Sequence, residues 1–182
     1  MKKLITTLVF VLIVSMSACG GTKQKHIETK QEKIGLLTVN SPVGWEKSLD
    51  ESEIYNSYTY SVNEDGDALL MIYYYKDPTE AISISDFDYT FDEFHEGIDI
   101  VYTDTKDSFL GDKPIRTGTG TWQYNYNGKV GDLYDITTIA MYDADKRRIE
   151  VQYMYKDSLS SEGYSDYATE LVDTMELVYS WN

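Results

Sequence analysis

"PIRTGTGTWQYNYNGKVGDLYDITTIAMYDADKRRIEVQYMY", residues 114–155, decides the fold. Asn127-Gly128 supplies the residues that tolerate positive φ in a tight hairpin, and "DADK" (143–146) marks a second turn. The stretch therefore predicts three long antiparallel strands, preceded by a linking strand near "DSFLG" (107–111). Between Lys76 and Gly97 the period becomes helical. Ile84, Phe87, Phe91 and Phe94 recur every three or four residues, Ser83 or Ser85 suits the start, and Gly97 suits the end, which predicts a helix over 84–96. Further upstream, "ALLMIYYYK" (68–76) has the continuous apolar character of a central strand covered on both faces. Asp65-Gly66 turns the chain back to "NSYTYSV" (56–62), where Tyr58, Tyr60 and Val62 share a face. "IGLLTVNSP" (34–42) is the first strand, stopped by Pro42. At the other end a helix near 165–177 gathers Tyr164, Tyr167, Ala168, Leu171, Val172 and Met175 on one side. The predicted class is α+β: a twisted antiparallel sheet of about six to seven strands covered by two main helices.

Length and composition suit one folded unit. The chain has 182 residues, 42% of them apolar, and its 17 Tyr and 5 Phe furnish large side chains for a core without disulfides or metals. The formal charge is −15. Only three arginines occur, Arg116, Arg147 and Arg148, and no basic stripe can be drawn, which argues against a nucleic-acid partner. An anionic membrane surface would repel the same domain by charge.

The N-terminus carries an address. Lys2 and Lys3 precede the apolar run "LITTLVFVLIV" (4–14), and the small residues Ser17 and Ala18 follow, in the pattern of a secretory signal over 1–18. The run is too short to span a hydrocarbon layer, which takes about 20 residues. Cys19 comes next and is the only cysteine. "MSAC" (16–19) resembles a bacterial lipobox, with Met16 where Leu is usual. The resemblance implies that Cys19 receives a diacylglycerol, becomes the new N-terminus and anchors the chain on the outer side of the cell membrane. Loss of residues 1–18 removes two lysines and no acids, leaving a net charge of −17. The polar stretch 19–33, with Lys23, Lys25, Lys30 and Lys33, then serves as a flexible tether to a single domain over 34–182.

The element order, "SPVGW" (41–45) after the first strand, and the closing strand, "DADK" turn, strand and helix resemble the PsbP-like superfamily over roughly residues 34–178. That superfamily includes the extrinsic PsbP subunit of photosystem II, a nuclear Ran-binding protein and many bacterial lipoproteins. The resemblance implies an α/β/α sandwich and an accessory or binding role more than an enzymatic one.

Few residue sets suggest chemistry. Asp88, Asp92 and His95, at i, i+4 and i+7 of the predicted helix, share a face with Glu96 beside them. They are the candidate ligand-binding set, able in principle to take a divalent cation such as Mn or Zn, although a solvated helix face accounts for them better, since no other His exists in the domain to complete a usual site, and no metal site is assigned. "NEDGD" (63–67) lacks the spacing of a calcium loop and fits a hairpin turn. "TGTGTW" (117–122) puts Gly118, Gly120 and Trp122 on one face and Thr117, Thr119 and Thr121 on the other. Its glycines suit close approach of a helix, or a ligand floor. Trp45, Trp122, Trp181 and Tyr73, Tyr74, Tyr75 fit buried packing better than sugar stacking. His26 and His95 are the only histidines and no nucleophile elbow occurs, so no catalytic residue is assigned. No cofactor is expected. The expected function is a non-enzymatic, lipid-anchored binding or accessory module for an envelope protein or a small ligand. The alternative is an envelope hydrolase acting on glycan or peptide.

Overall fold

In this computed structural model the described residues are 26–78, 98–110 and 113–177. They form two antiparallel sheets. The smaller has the order β1-β2-β10, from β1 (Thr29–Ile34), β2 (Leu37–Pro42) and β10 (Glu176–Leu177). The larger has the order β3-β4-β5-β9-β8-β7-β6, from β3 (Glu46–Glu51), β4 (Tyr55–Ser61), β5 (Ala68–Pro78), β6 (Ile98–Leu110), β7 (Lys113–Tyr126), β8 (Lys129–Tyr142) and β9 (Arg147–Lys156). A 3-10 turn (Asp157–Glu162) leads into the helix α1 (Tyr164–Thr174).

The three long strands of residues 114–155 are β7, β8 and β9. Asn127 and Gly128 take φ of 51° and 77° at the first turn. At the second, Asp143 Oδ1 accepts the Arg147 amide at 2.8 Å. The central-strand reading of residues 68–76 also holds, since β5 lies between β4 and β9. Ala68, Leu70 and Ile72 are fully buried on one face, while Leu69 and Met71 pack on the other against Tyr134, Ile136 and Met154.

One face of the large sheet carries the main core. Tyr60, Leu70, Ile72, Ile139, Met141, Ile149, Val151 and Tyr153 meet Tyr164, Tyr167 and Leu171 of α1, and Ile34, Leu37 and Val39 of the small sheet. The small sheet is fastened to the helix by polar bonds. The Tyr167 hydroxyl donates to Asn40 O at 2.7 Å, while Asn40 Nδ2 and Thr29 Oγ1 donate to Glu170 Oε1 at 3.0 and 3.1 Å.

Three expectations change. The layer over this face is one helix together with a three-stranded sheet, so of the two covering helices expected, one is present among the described residues. The segment 84–96 lies outside them. The predicted first strand, 34–42, is two strands that turn at Gly35, whose φ is +58°. A Cβ there would sit 2.8 Å from the Tyr74 ring, and the Tyr74 hydroxyl donates to Ile34 O while accepting the Leu37 amide, so the turn is built around that side chain. Consequently β1 begins at Thr29, inside the stretch 19–33 expected to be tether. It shows no apolar alternation because only Ile34 of the strand is buried. β3 was not foreseen for a similar reason, since all six of its residues are exposed.

Candidate functional site

α1 leaves part of the main-core face open on its β7 and β8 flank. The register pairs Ile115 with Met141, Thr117 with Ile139, Thr119 with Thr137 and Thr121 with Asp135. Directly opposed residues point to the same face. Along β7 the helix side therefore changes from aliphatic to hydroxyl-bearing where the helix no longer covers it. The result is a groove of about 520 Å³. Thr117, Thr119, Thr121, Thr137, Asp135 and Tyr155 form its floor, and Ser165, Ala168, Thr169, Val172 and Asp173 of α1 form its wall. These five recur at helical spacing, so they share one flank of α1. Thr103 of β6 closes the far rim, with its hydroxyl donated to Thr119 O at 3.1 Å.

Thr103 reaches that rim because β6 bulges between Tyr102 and Asp104. Gly120 admits the bulge. A Cβ on it would lie 2.0 Å from Val101 O and 2.7 Å from Tyr102 Cα. This corrects the expectation for "TGTGTW": the space left at Gly120 is taken by the neighbouring strand and not by a helix, while Gly120 itself borders the groove and the threonine face is the one turned toward α1. Trp122, on the glycine face, stacks edge-on against Tyr134 at 5.3 Å.

The groove is rich in hydrogen-bond acceptors. Among the described residues no Lys, Arg or His lines it, and no Lys or Arg pairs with Asp135 or Asp173. Burial pushes the Tyr155 hydroxyl well above its usual range, and the neighbouring Asp135 charge and their mutual hydrogen bond push it further. Tyr155 thus stays protonated, directly across the β8–β9 pair from Asp135. The floor presents hydroxyls around the Asp135 carboxylate, which lies across from Thr121. That lining suits retention of a donor-rich ligand.

A second depression of about 550 Å³ lies at the opposite end of the sheet, beside Tyr58, Tyr74, Lys76 and Arg147. Its charges are answered internally. Arg147 pairs with Asp145 at 2.9 Å and Lys76 donates to Ser52 O.

Cys19, Asp88, Asp92, His95 and Trp181 lie outside the described residues, so the sequence-derived ligand set and anchor have no place in this geometry. "NEDGD" is a hairpin turn: Asn63 Nδ2 donates to Asp67 Oδ2 at 2.7 Å and Gly66 has φ +67°. Among the described residues no group of three His, Cys, Asp or Glu could hold a metal ion. Trp45 packs against the core, and Tyr73, Tyr74 and Tyr75 are half-buried in the sheet. The groove residues Thr119, Thr121, Thr137, Asp135, Tyr155 and Asp173 were not singled out as a site. Their signal in the sequence was polar residues at every second position of a strand whose core-facing neighbours are aliphatic.

The fold has solved counterparts. The solution structure of cyanobacterial PsbP (CyanoP) from Synechocystis sp. PCC 6803 superposes with a TM-score of 0.57 at 10% identity, over 90% of this chain and 99% of that one. The Ran-binding protein Mog1p of Saccharomyces cerevisiae superposes with a TM-score of 0.52 at 10% identity, over 84% and 96%. No protein-family model and no curated protein matches the sequence. The chain has a PsbP-like fold; at such identities the likeness extends to the fold alone. Among the described residues no helix is long and apolar enough to cross a membrane.

Proposed function

We propose that the protein is a lipid-anchored, extracytoplasmic binding module that holds a protein segment or a small ligand in the groove beside α1. The observation that carries this reading is the lining: hydroxyls and two carboxylates over about 520 Å³, with the buried phenol of Tyr155 held protonated opposite Asp135. A hydrolytic reading needs titratable groups converging on a reacting atom, and nothing in this lining favours it. The fold accommodates partner binding elsewhere, as in the yeast Ran-binding protein.

Anchoring comes from the "MSAC" sequence. With Ile27 packed on the core and Glu28 O accepting the Val43 amide at 2.8 Å, the tether shortens to residues 19–26, a reach of at most about 29 Å from the lipid to the domain. The groove is thereby held near the membrane. Two measurements test the reading. Filling the groove with Thr121→Trp should abolish recovery of whatever co-purifies with the intact lipoprotein from solubilised membranes; equal recovery would overturn the site. Cys19→Ala should release the protein into the medium, and unchanged membrane retention would overturn the anchor.

A further inference from the structure

We infer that the occupant of the groove is a basic segment of a partner protein, with lysine or arginine side chains seated over Thr121, Asp135 and Asp173 and apolar side chains resting on the β7–β8 hairpin. The inference rests on the groove being a binding site and names the class of ligand it takes.

Charge is the first argument. Asp135 and Asp173 face the groove with no Lys or Arg partner among the described residues, and no cation lines it. On a chain of net charge −15 such a groove attracts cations and repels anions.

The second argument is the surface beside it. β8 is exposed from Lys129 to Leu133, so the end of the hairpin stands clear of the core. Val101 of β6 and Val130 and Leu133 of β8 are 58%, 62% and 41% exposed there, whereas Tyr124 and Tyr126 alternate onto the Trp122 face. Val101 pairs with Thr121, and Leu133 with Gln123 one row on, so both point to the groove side of the sheet. An apolar rim that continues a polar groove outward exceeds the needs of a small ligand and marks a macromolecular contact. Only Lys129, at the turn itself, is basic on this arm.

The partner does not enter by extending the sheet. The outer strand β6 bulges at Tyr102/Asp104 and carries Asp99, Asp104, Lys106 and Asp107, devices that disfavour strand addition. Seating over the groove remains.

The test uses the full acylated chain, labelled with 15N, in nanodiscs of zwitterionic phosphatidylcholine. The probe is a short peptide alternating Lys and Val, compared with one alternating Glu and Val. The Lys peptide should shift the amides of Thr119, Thr121, Asp135, Val172 and Leu133, and bind less well as salt rises. Its affinity should fall about tenfold in Asp173→Asn, and similarly in Leu133→Ser, an effect in the range of interface charge and contact losses. Both positions are exposed, so these variants keep the fold, which the unshifted remainder of the spectrum checks. Equal binding of the Glu peptide, or shifts elsewhere, would overturn the inference. If an oligosaccharide moves the groove amides and the Lys peptide does not, the groove reading survives and the protein occupant falls; if neither does, both fall. Groove shifts on replacing Lys23 and Lys25 with Gln, without peptide, would name the chain's own tether as occupant. Shifts that grow with protein concentration would name a second copy. Either result overturns the inference.

Discussion

At the residue scale, two glycines do opposite things. Gly120 has ordinary backbone angles and no room, whereas Gly128 has open space around it and φ of +77°. Gly120→Ala forces a carbon into the Val101–Tyr102 backbone and should cost about 3 kcal/mol, the upper end of overpacking effects, because backbone cannot swing aside. Gly128→Ala meets only the left-handed penalty of about 1–2 kcal/mol. Urea unfolding of both variants checks the order, and a smaller loss at Gly120 would mean the bulge relaxes. Asn127-Gly128 was recognisable in sequence because a tight turn depends on its own dihedrals. The need for Gly120 was not, since the clash comes from β6, a strand met only through pairing.

At the scale of elements, one hydroxyl fastens the small sheet to the large one beside the Lys47–Glu32 ion pair at 2.6 Å. Tyr74 Oη serves both Ile34 O and the Leu37 amide across the Gly35 turn. Tyr74→Phe keeps the ring and should cost about 1–2 kcal/mol, with faster hydrogen exchange at Leu37. Undisturbed exchange there would show the bond to be idle. Ion pairs join elements as well: Lys156 of β9 meets Asp132 of β8 at 2.8 Å and also Asp67 before β5, and Arg116 of β7 meets Asp107 of β6 at 2.6 Å. The hydrogen bonds from Lys156 and Asn63 hold the Asp67 carboxyl below its usual value, and the Arg116 hydrogen bond does so for Asp107. Their stabilisation is present above the ordinary carboxylate range and is lost as pH falls through the lowered folded values. Both carboxylates keep contact with water, so the effect is small and salt-dependent. Acid unfolding should shift only slightly in Lys156→Met, and a large shift would mean that the pairs are shielded from solvent. The hairpins of β4 to β5 and β7 to β9 and the helix α1 were all foreseeable from their own periodicity and turns. β1 and β3 were not, because edge strands with mostly exposed side chains bear no hydrophobic signal.

For the molecule as a whole, the tyrosine-rich core sets an alkaline limit. Burial, followed by the charges of neighbouring phenols, pushes Tyr73 up to about 12, and burial with the Glu150 charge does the same for Tyr75. Tyr74, Tyr153 and Tyr167 are driven higher still, chiefly by burial. A raised folded value favours the neutral phenol in the fold, so this stabilisation is intact below the unfolded value of 10.0 and is lost as pH rises toward 12 and beyond. Absorbance at 295 nm should show these phenols ionising together with the loss of near-UV dichroism. Ionisation of every tyrosine while that signal persists would contradict the packed core.

The sequence by itself determined the antiparallel class, the hairpin turns, the amphipathic face of α1 and the negative charge, because each depends on neighbours a few residues apart. Tertiary structure decided that Thr29–Ile34 is a strand, that Gly120 must lack a side chain, and that Thr119, Thr121, Asp135 and Asp173 line one groove. Those features depend on which strands pair and where the helix stops covering the sheet, and such long-range contacts leave no local period to read.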